Sequence, residues 1–155
     1  MAYTVIDLIN KAIVIAKKRY EMYKNIGEIM EQDFRVTLAA NILVKSVAKN
    51  IAYYEKLKLE LEKDDEVIDF ATYDKISFLF NKFLQRFESP EIKNVKEFLE
   101  FSVDFEKKIV AFYIDIQGRL VKKQEDTDRK AYKILSAIIE EKQNHIKNLQ
   151  MFIKN

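Results

Sequence analysis

Four polar residues fall where helical spacing calls for an apolar one: Asn50, Glu106, Lys142 and His145. They bring an amide, a carboxylate, an amine and an imidazole, groups from which a metal site or a buried ion pair can be built. The stretch Glu106-Lys-Lys-Ile-Val-Ala-Phe-Tyr113 matters most, because a carboxylate in an apolar seam is costly unless something holds it. One carboxylate with one histidine makes a weak metal site. Glu106 and Lys142 carry opposite charges that sum to zero, so the ammonium is expected to be the partner of Glu106, with Asn50 and His145 satisfying the remaining hydrogen bonds. Taken singly, Asn50 reads as a buried amide that fixes register and His145 as a hydrogen-bonded core residue. Glu140 and Glu141 are each rotated by ~100° per position and are expected to face solvent or a subunit partner. A rotation bringing Glu141 inward would let Glu106, Glu141 and His145 hold one ion loosely.

A layer of this kind needs long helices with their midpoints at one height. Two glycines and one proline leave little material for turns, so few long helices and no strands are expected. From the candidate N-cap Thr4, the residues Ile9, Ile13, Ala16, Tyr20, Tyr23 and Met30 recur at steps of four and three, with Gly27 filling the remaining position. After the polar link Glu31-Gln32-Asp33, a second run carries Leu43, Val47, Asn50, Tyr54, Leu57 and Leu61, which makes an antiparallel hairpin. The charged break Glu62-Lys-Asp-Asp-Glu66 leads to a short amphipathic helix with Ile76, Phe80, Phe83 and Phe87 before Ser89-Pro90. The link is far longer than a bundle hairpin loop, so it is expected to cross the length of the molecule and leave the second and third long helices parallel. Asn94 and Glu97 form a capping pair for the third, whose seam is Leu99, Ser102, Glu106, Ile109, Tyr113, Ile116 and Leu120, with Gly118 at its fraying end. Asp126 or Thr127 is expected to cap the fourth, with Leu135, Ile138, Lys142, His145, Leu149 and Phe152 in its seam. The expected long helices cover about 4–30, 34–62, 95–121 and 127–153, with a crossover over 63–94, in one domain, 1–155. Each of the four polar residues then lies within ~5 Å, one turn, of its helix midpoint.

The chain also echoes itself, with Ala16-Lys-Lys-Arg-Tyr-Glu-Met-Tyr23 standing against the Glu106–Tyr113 stretch in its Lys-Lys pair and closing tyrosine. With Tyr53-Tyr54-Glu55-Lys56-Leu57 and Ile138-Ile-Glu-Glu-Lys-Gln-Asn-His145, the whole chain resembles the rubrerythrin branch of the ferritin-like superfamily. The resemblance implies an all-α, ferritin-like four-helix bundle with a long crossover carrying a short helix. It also implies a site for two iron or manganese ions, held by one glutamate from each of two helices and a Glu-x-x-His motif from each of the others. Carried over, the six ligand positions fall on Ala16, Val47, Asn50, Glu106, Lys142 and His145, so only Glu106 and His145 keep a ligating side chain. Two divalent ions need more than one carboxylate, and Lys142 puts a cation where an ion would sit. The metal site is therefore expected to be replaced by a polar layer, with no cofactor and no catalytic residue.

The composition bounds the remaining classes. With 27 basic and 25 acidic residues the net charge is +2, which argues against a nucleic-acid binder. Lys17-Lys18-Arg19 and Lys122-Lys123 read as ordinary exposed faces. The absence of cysteine removes disulfides, thiolate metal sites and thiol catalysis. No membrane span and no basic leader stand in the sequence, and two glycines make no phosphate-cradling loop, so a cytoplasmic protein is expected. The function expected is that of a non-catalytic helical scaffold or interaction protein, as a homodimer in which part of the aromatic segment with Phe78, Phe80, Phe83 and Phe87 is buried against the second subunit. The alternatives are an iron- or manganese-dependent oxidoreductase using the residual ligands, and a small-anion pocket contacted by Lys142 and His145.

Overall fold

The computed structural model describes residues 3–64 and 66–154, so Asp65 of the charged break lies outside the described residues. The described chain is mostly helical and all-α in class. Its long helices are α1 (Val5–Ile29), α2 (Phe34–Glu60), α4 (Val95–Arg119) and α5 (Lys130–Lys154), and a shorter α3 (Phe70–Gln85) lies between α2 and α4. No helix among the described residues is long and apolar enough to cross a membrane.

Each helix start has an identifiable reason. The Thr4 N–H donates to Asp7 Oδ2 (2.8 Å) at α1, and Asp33 Oδ1 accepts from Arg35 N–H (3.1 Å) and Val36 N–H (3.2 Å) at α2. Asp69 accepts from Thr72 N–H (3.0 Å) at α3, and Asn94 from Glu97 N–H (2.9 Å) at α4. The fourth long helix departs from expectation. It begins at Lys130, after a 3₁₀ turn over Gln124–Asp128, and its first amides donate to a distant residue: Lys130 N–H to Glu66 Oε2 (2.9 Å) and Ala131 N–H to Glu66 Oε1 (3.1 Å). Asp126, read as a cap for this helix, accepts instead from Lys122 N–H (2.8 Å) and Lys123 N–H (3.1 Å) and closes the turn. A carboxylate at a helix N-terminus satisfies free N–H groups and meets the positive end of the dipole, whichever part of the chain supplies it.

Strands were not expected, yet β1 (Tyr3–Thr4) pairs antiparallel with β2 (Val67–Ile68). With two residues each, the strands leave no alternating pattern in the sequence. The clip holds the entry to α1 against the segment that feeds α3. Beside it, Tyr3 stacks on Tyr73 with centroids 3.8 Å apart.

Packing is most extensive between α1 and α2 and between α4 and α5, with further contacts joining α2 to α4 and α1 to α5. Helix α3 packs on α4 and is touched by Lys11 of α1. Lys11 sits over Tyr73 and Phe80, Phe80 meets Phe112 edge-on (4.8 Å), Phe83 stacks on Phe112 (4.3 Å) and Phe87 meets Phe105 (5.0 Å). Within the chain Phe80 is buried, and Phe83 and Phe87 are half-buried against α4. Phe78 alone of the four is exposed, with Lys75 and Lys82 lying over its ring.

The α1–α2 pair approaches closely at Gly27, where an added Cβ would stand 2.9 Å from Ala40 Cβ. At Gly118 an added Cβ meets nothing within 4 Å, and neither glycine has positive φ. Gly118→Ala should therefore raise the thermal midpoint, reflecting ~1 kcal/mol of helix propensity. Gly27→Ala should lower it despite the same gain, and Gly27→Ala with Ala40→Gly should recover most of the loss. Thermal melts followed by circular dichroism decide this, and equal gains at both sites would contradict the close approach.

Candidate functional site

The polar layer is built around Glu106, which is fully buried near the middle of α4. Its first partner is a residue the sequence reading placed on an exposed face. Arg19 of α1 is itself buried, with Nε donating to Glu106 Oε1 at 2.9 Å and Nη2 donating to the same oxygen at 2.5 Å. Tyr23, one turn on, donates its hydroxyl to that oxygen at 3.0 Å. Lys142 of α5 is buried too, but its Nζ stands 3.8 Å from Glu106 Oε2, beyond hydrogen-bond length. The expectation that the ammonium is the principal partner is thus corrected: a guanidinium makes the charge-assisted hydrogen bonds, and Lys142 adds a second positive charge behind them.

Asn50 carries the network to the other helices. Its Oδ1 accepts from Arg19 Nη1 at 3.5 Å and its Nδ2 donates to Glu141 Oε1. Glu141, expected to face away, is half-buried and turned toward the layer, whereas Glu140 is exposed. All four long helices therefore contribute to one connected set, in which the charges of Arg19 and Lys142 balance those of Glu106 and Glu141. His145 is half-buried one turn along α5 from Glu141, and among the described residues its buried Nε2 has no hydrogen-bond partner. Tyr54 OH, Glu106 Oε2, Glu141 Oε2 and Lys142 Nζ are likewise buried without one.

The electrostatics follow this geometry. Burial alone would raise the Glu106 carboxyl, but Arg19 and then Lys142 overcome it and hold the group down at about 2. Burial and the Arg19 charge bring the Lys142 amine down to about 8, against the pull of Glu106 and Glu141. Burial also lowers the His145 imidazole, with Glu106 opposing, so it is neutral at pH 7. The hydroxyls of Tyr23, Tyr54 and Tyr113 are pushed up, first by burial, and stay protonated.

These residues do not fit a pair of divalent ions. Ala16 and Val47 present buried apolar side chains, Asn50 is engaged by Arg19 and Glu141, and Glu106 has three donors on one oxygen and an ammonium near the other. Among the described residues no three of His, Asp and Glu are arranged as a group that could hold a metal ion. Arg19 was missed because the seam was followed through Tyr20. Arg19 lies three residues after Ala16 and four before Tyr23, so it fits the same spacing, and the small Ala12 and Ala16 beside it are both buried.

Removing Arg19 should expose the dependence of the layer on it. Arg19→Met leaves Glu106 with one distant cation and should cost ~3–5 kcal/mol in urea unfolding at pH 7, and Arg19→Met with Glu106→Gln should recover much of that. Additive effects in the cycle would deny the pair. Lys142→Met should cost far less, since it removes a cation already disfavoured by burial. The pH dependence separates the two further. A folded-state value of about 8 against the ordinary 10.5 means that the unfolded chain binds more protons between them, so stability should rise with pH in that window by up to ~1.4 kcal/mol per unit. The rise should be absent in Lys142→Met. On the acid side the Glu106 contribution is fully present above pH 4.5 and is lost as pH falls through about 2.

Comparison of the chain with protein-family models, with curated proteins and with solved structures finds no match.

Proposed function

We propose that this chain is a non-catalytic, ferritin-like four-helix bundle, with a long crossover from α2 to α4 that carries α3, and that it acts as a scaffold or interaction protein. The observation that carries the reading is the Arg19 guanidinium seated on Glu106. In the rubrerythrin-like arrangement that the sequence resembles, this carboxylate would bridge or bind metal, and here a cation of the protein's own takes that role. The echo between the two helix pairs and the positions of Asn50, Glu106 and Lys142 support the family reading, and the neutral charge sum of the layer supports a structural role for it. The competing reading, an iron- or manganese-dependent oxidoreductase, needs carboxylates that this layer does not bring together.

The test is elemental analysis of the tag-free protein after aerobic exposure to ferrous iron and dialysis. Iron, manganese and zinc should each stay below ~0.1 per chain, because a carboxylate-bridged pair normally binds stoichiometrically. One or two ions per chain, lost in Glu106→Ala, would replace this reading with the oxidoreductase.

We further propose that the scaffold is a homodimer joined through the outer face of α2. Phe34, Leu38 and Ile42 recur every four residues there at 76%, 49% and 53% exposure, and Ile29, the last residue of α1, is 77% exposed. A row of this kind makes a continuous apolar patch, suited to a symmetric contact in which the same face serves both copies. Sedimentation at tens of micromolar should give a dimer that Leu38→Glu converts to monomer. A wild-type monomer under those conditions would remove the proposal.

A further inference from the structure

A cleft away from the polar layer lies between the end of α3 and the middle of α4. Its volume is about 710 Å³, within the range of small-molecule sites, and five phenylalanines line it: Phe83, Phe87, Phe101, Phe105 and Phe112. The rings form a connected wall. Phe83 stacks on Phe112 (4.3 Å), Phe101 stacks on Phe105 (5.5 Å) and Phe87 bridges the two pairs edge-on, 5.3 Å from Phe83 and 5.0 Å from Phe105. Four of the five stay half-buried, so apolar ring surface still faces the opening.

The charged groups at this cleft are not self-satisfied. Arg86, at the end of α3, and Lys108, on α4, both line it, both are exposed, and neither forms an ion pair among the described residues. Glu88 is the one acidic side chain in the lining, so two cations against one anion leave a single net positive charge beside a large aromatic wall. That combination selects for a molecule with an apolar body and one anionic end. A polyanion such as a nucleotide would leave most of its charge unmatched, and a cation would be repelled. Arginine, with its planar fork of donors, suits a carboxylate in particular.

We propose that the α3–α4 cleft binds a long-chain monocarboxylate, with the hydrocarbon chain along the phenylalanine wall and the carboxylate on Arg86 and Lys108. This site goes beyond the scaffold reading and does not depend on it. It gives a physical use to the aromatic content of α3, whose rings close one side of the groove that α4 opens.

The experiment is calorimetric titration of the full chain with dodecanoate below its micelle concentration, alongside dodecyltrimethylammonium as the probe of opposite charge. Dodecanoate should bind at a single saturable site per chain. Arg86→Gln with Lys108→Gln should weaken it about tenfold or more, and the cationic probe should bind the wild type at least about tenfold more weakly than dodecanoate does. Ala111→Trp, at an exposed lining position, should fill the cleft and abolish binding while leaving the thermal midpoint near wild type. The proposal is overturned by non-saturating uptake, by equal binding of the two probes, or by full binding in Ala111→Trp. It is also overturned if dodecanoate fails to bind, and Ala111→Trp turning a dimer into a monomer would then make the cleft a contact between copies.

Discussion

The buried pair of Arg19 and Glu106 is the constraint on which the middle of this molecule depends. A carboxylate with no solvent exposure carries a desolvation penalty of several kcal/mol, and isolated burial would drive it to take up a proton. Two guanidinium hydrogen bonds and a tyrosine hydroxyl on one oxygen reverse that tendency and keep it ionised. The geometry is demanding: Arg19 must come from α1 at the height where Glu106 comes from α4, with Tyr23 one turn along. A slip of either helix by one residue would rotate one partner by ~100° and leave a charge unpaired in the core. The pair therefore sets register more than it adds net stability, because an apolar pair of similar volume would avoid the desolvation altogether.

From that pair the layer spreads in two directions. Asn50 links the guanidinium to Glu141 and so joins α2 to α5, and Lys142 supplies the second cation. The lysine is the least comfortable member. It lies 3.8 Å from the carboxylate without a hydrogen bond, and its depressed basicity expresses the balance between burial and attraction. The layer draws its two cations from α1 and α5 and its two carboxylates from α4 and α5.

The ends of the helices are held by different means. Glu66, on the segment entering β2, caps α5, while Lys122 of the α4–α5 link reaches Asp69 at 3.1 Å and Lys130 pairs with Asp64. These contacts tie the segment after α2 to the turn before α5, and the β1–β2 clip ties it to the start of α1. Along the side, α3 covers part of α1 and α4 with aromatic rings. Polar contacts at the middle and one end, together with aromatic packing along the flank, position the long helices without a disulfide or a tight glycine turn.

Much of this was legible in the residues, for a specific reason. Few glycines and prolines, helical apolar spacing and local caps such as Asp33 and Asn94 act within one or two turns, so the all-helical class and the polarity of the seams at Asn50, Glu106 and Lys142 could be read from neighbours in the chain. Arg19 was hidden because a long cationic side chain beside two lysines looks the same whether it points out or in, and only the carboxylate arriving from α4 decides which. Glu66 as a cap, the pairing of Tyr3–Thr4 with Val67–Ile68 and the inward turn of Glu141 were hidden likewise, since each depends on a partner far along the chain. The sequence by itself determined which helices form and which faces are apolar, because those are local properties of side-chain spacing. The tertiary structure alone decided which charges meet, because a buried charge takes its partner from whatever the packing brings within about 4 Å.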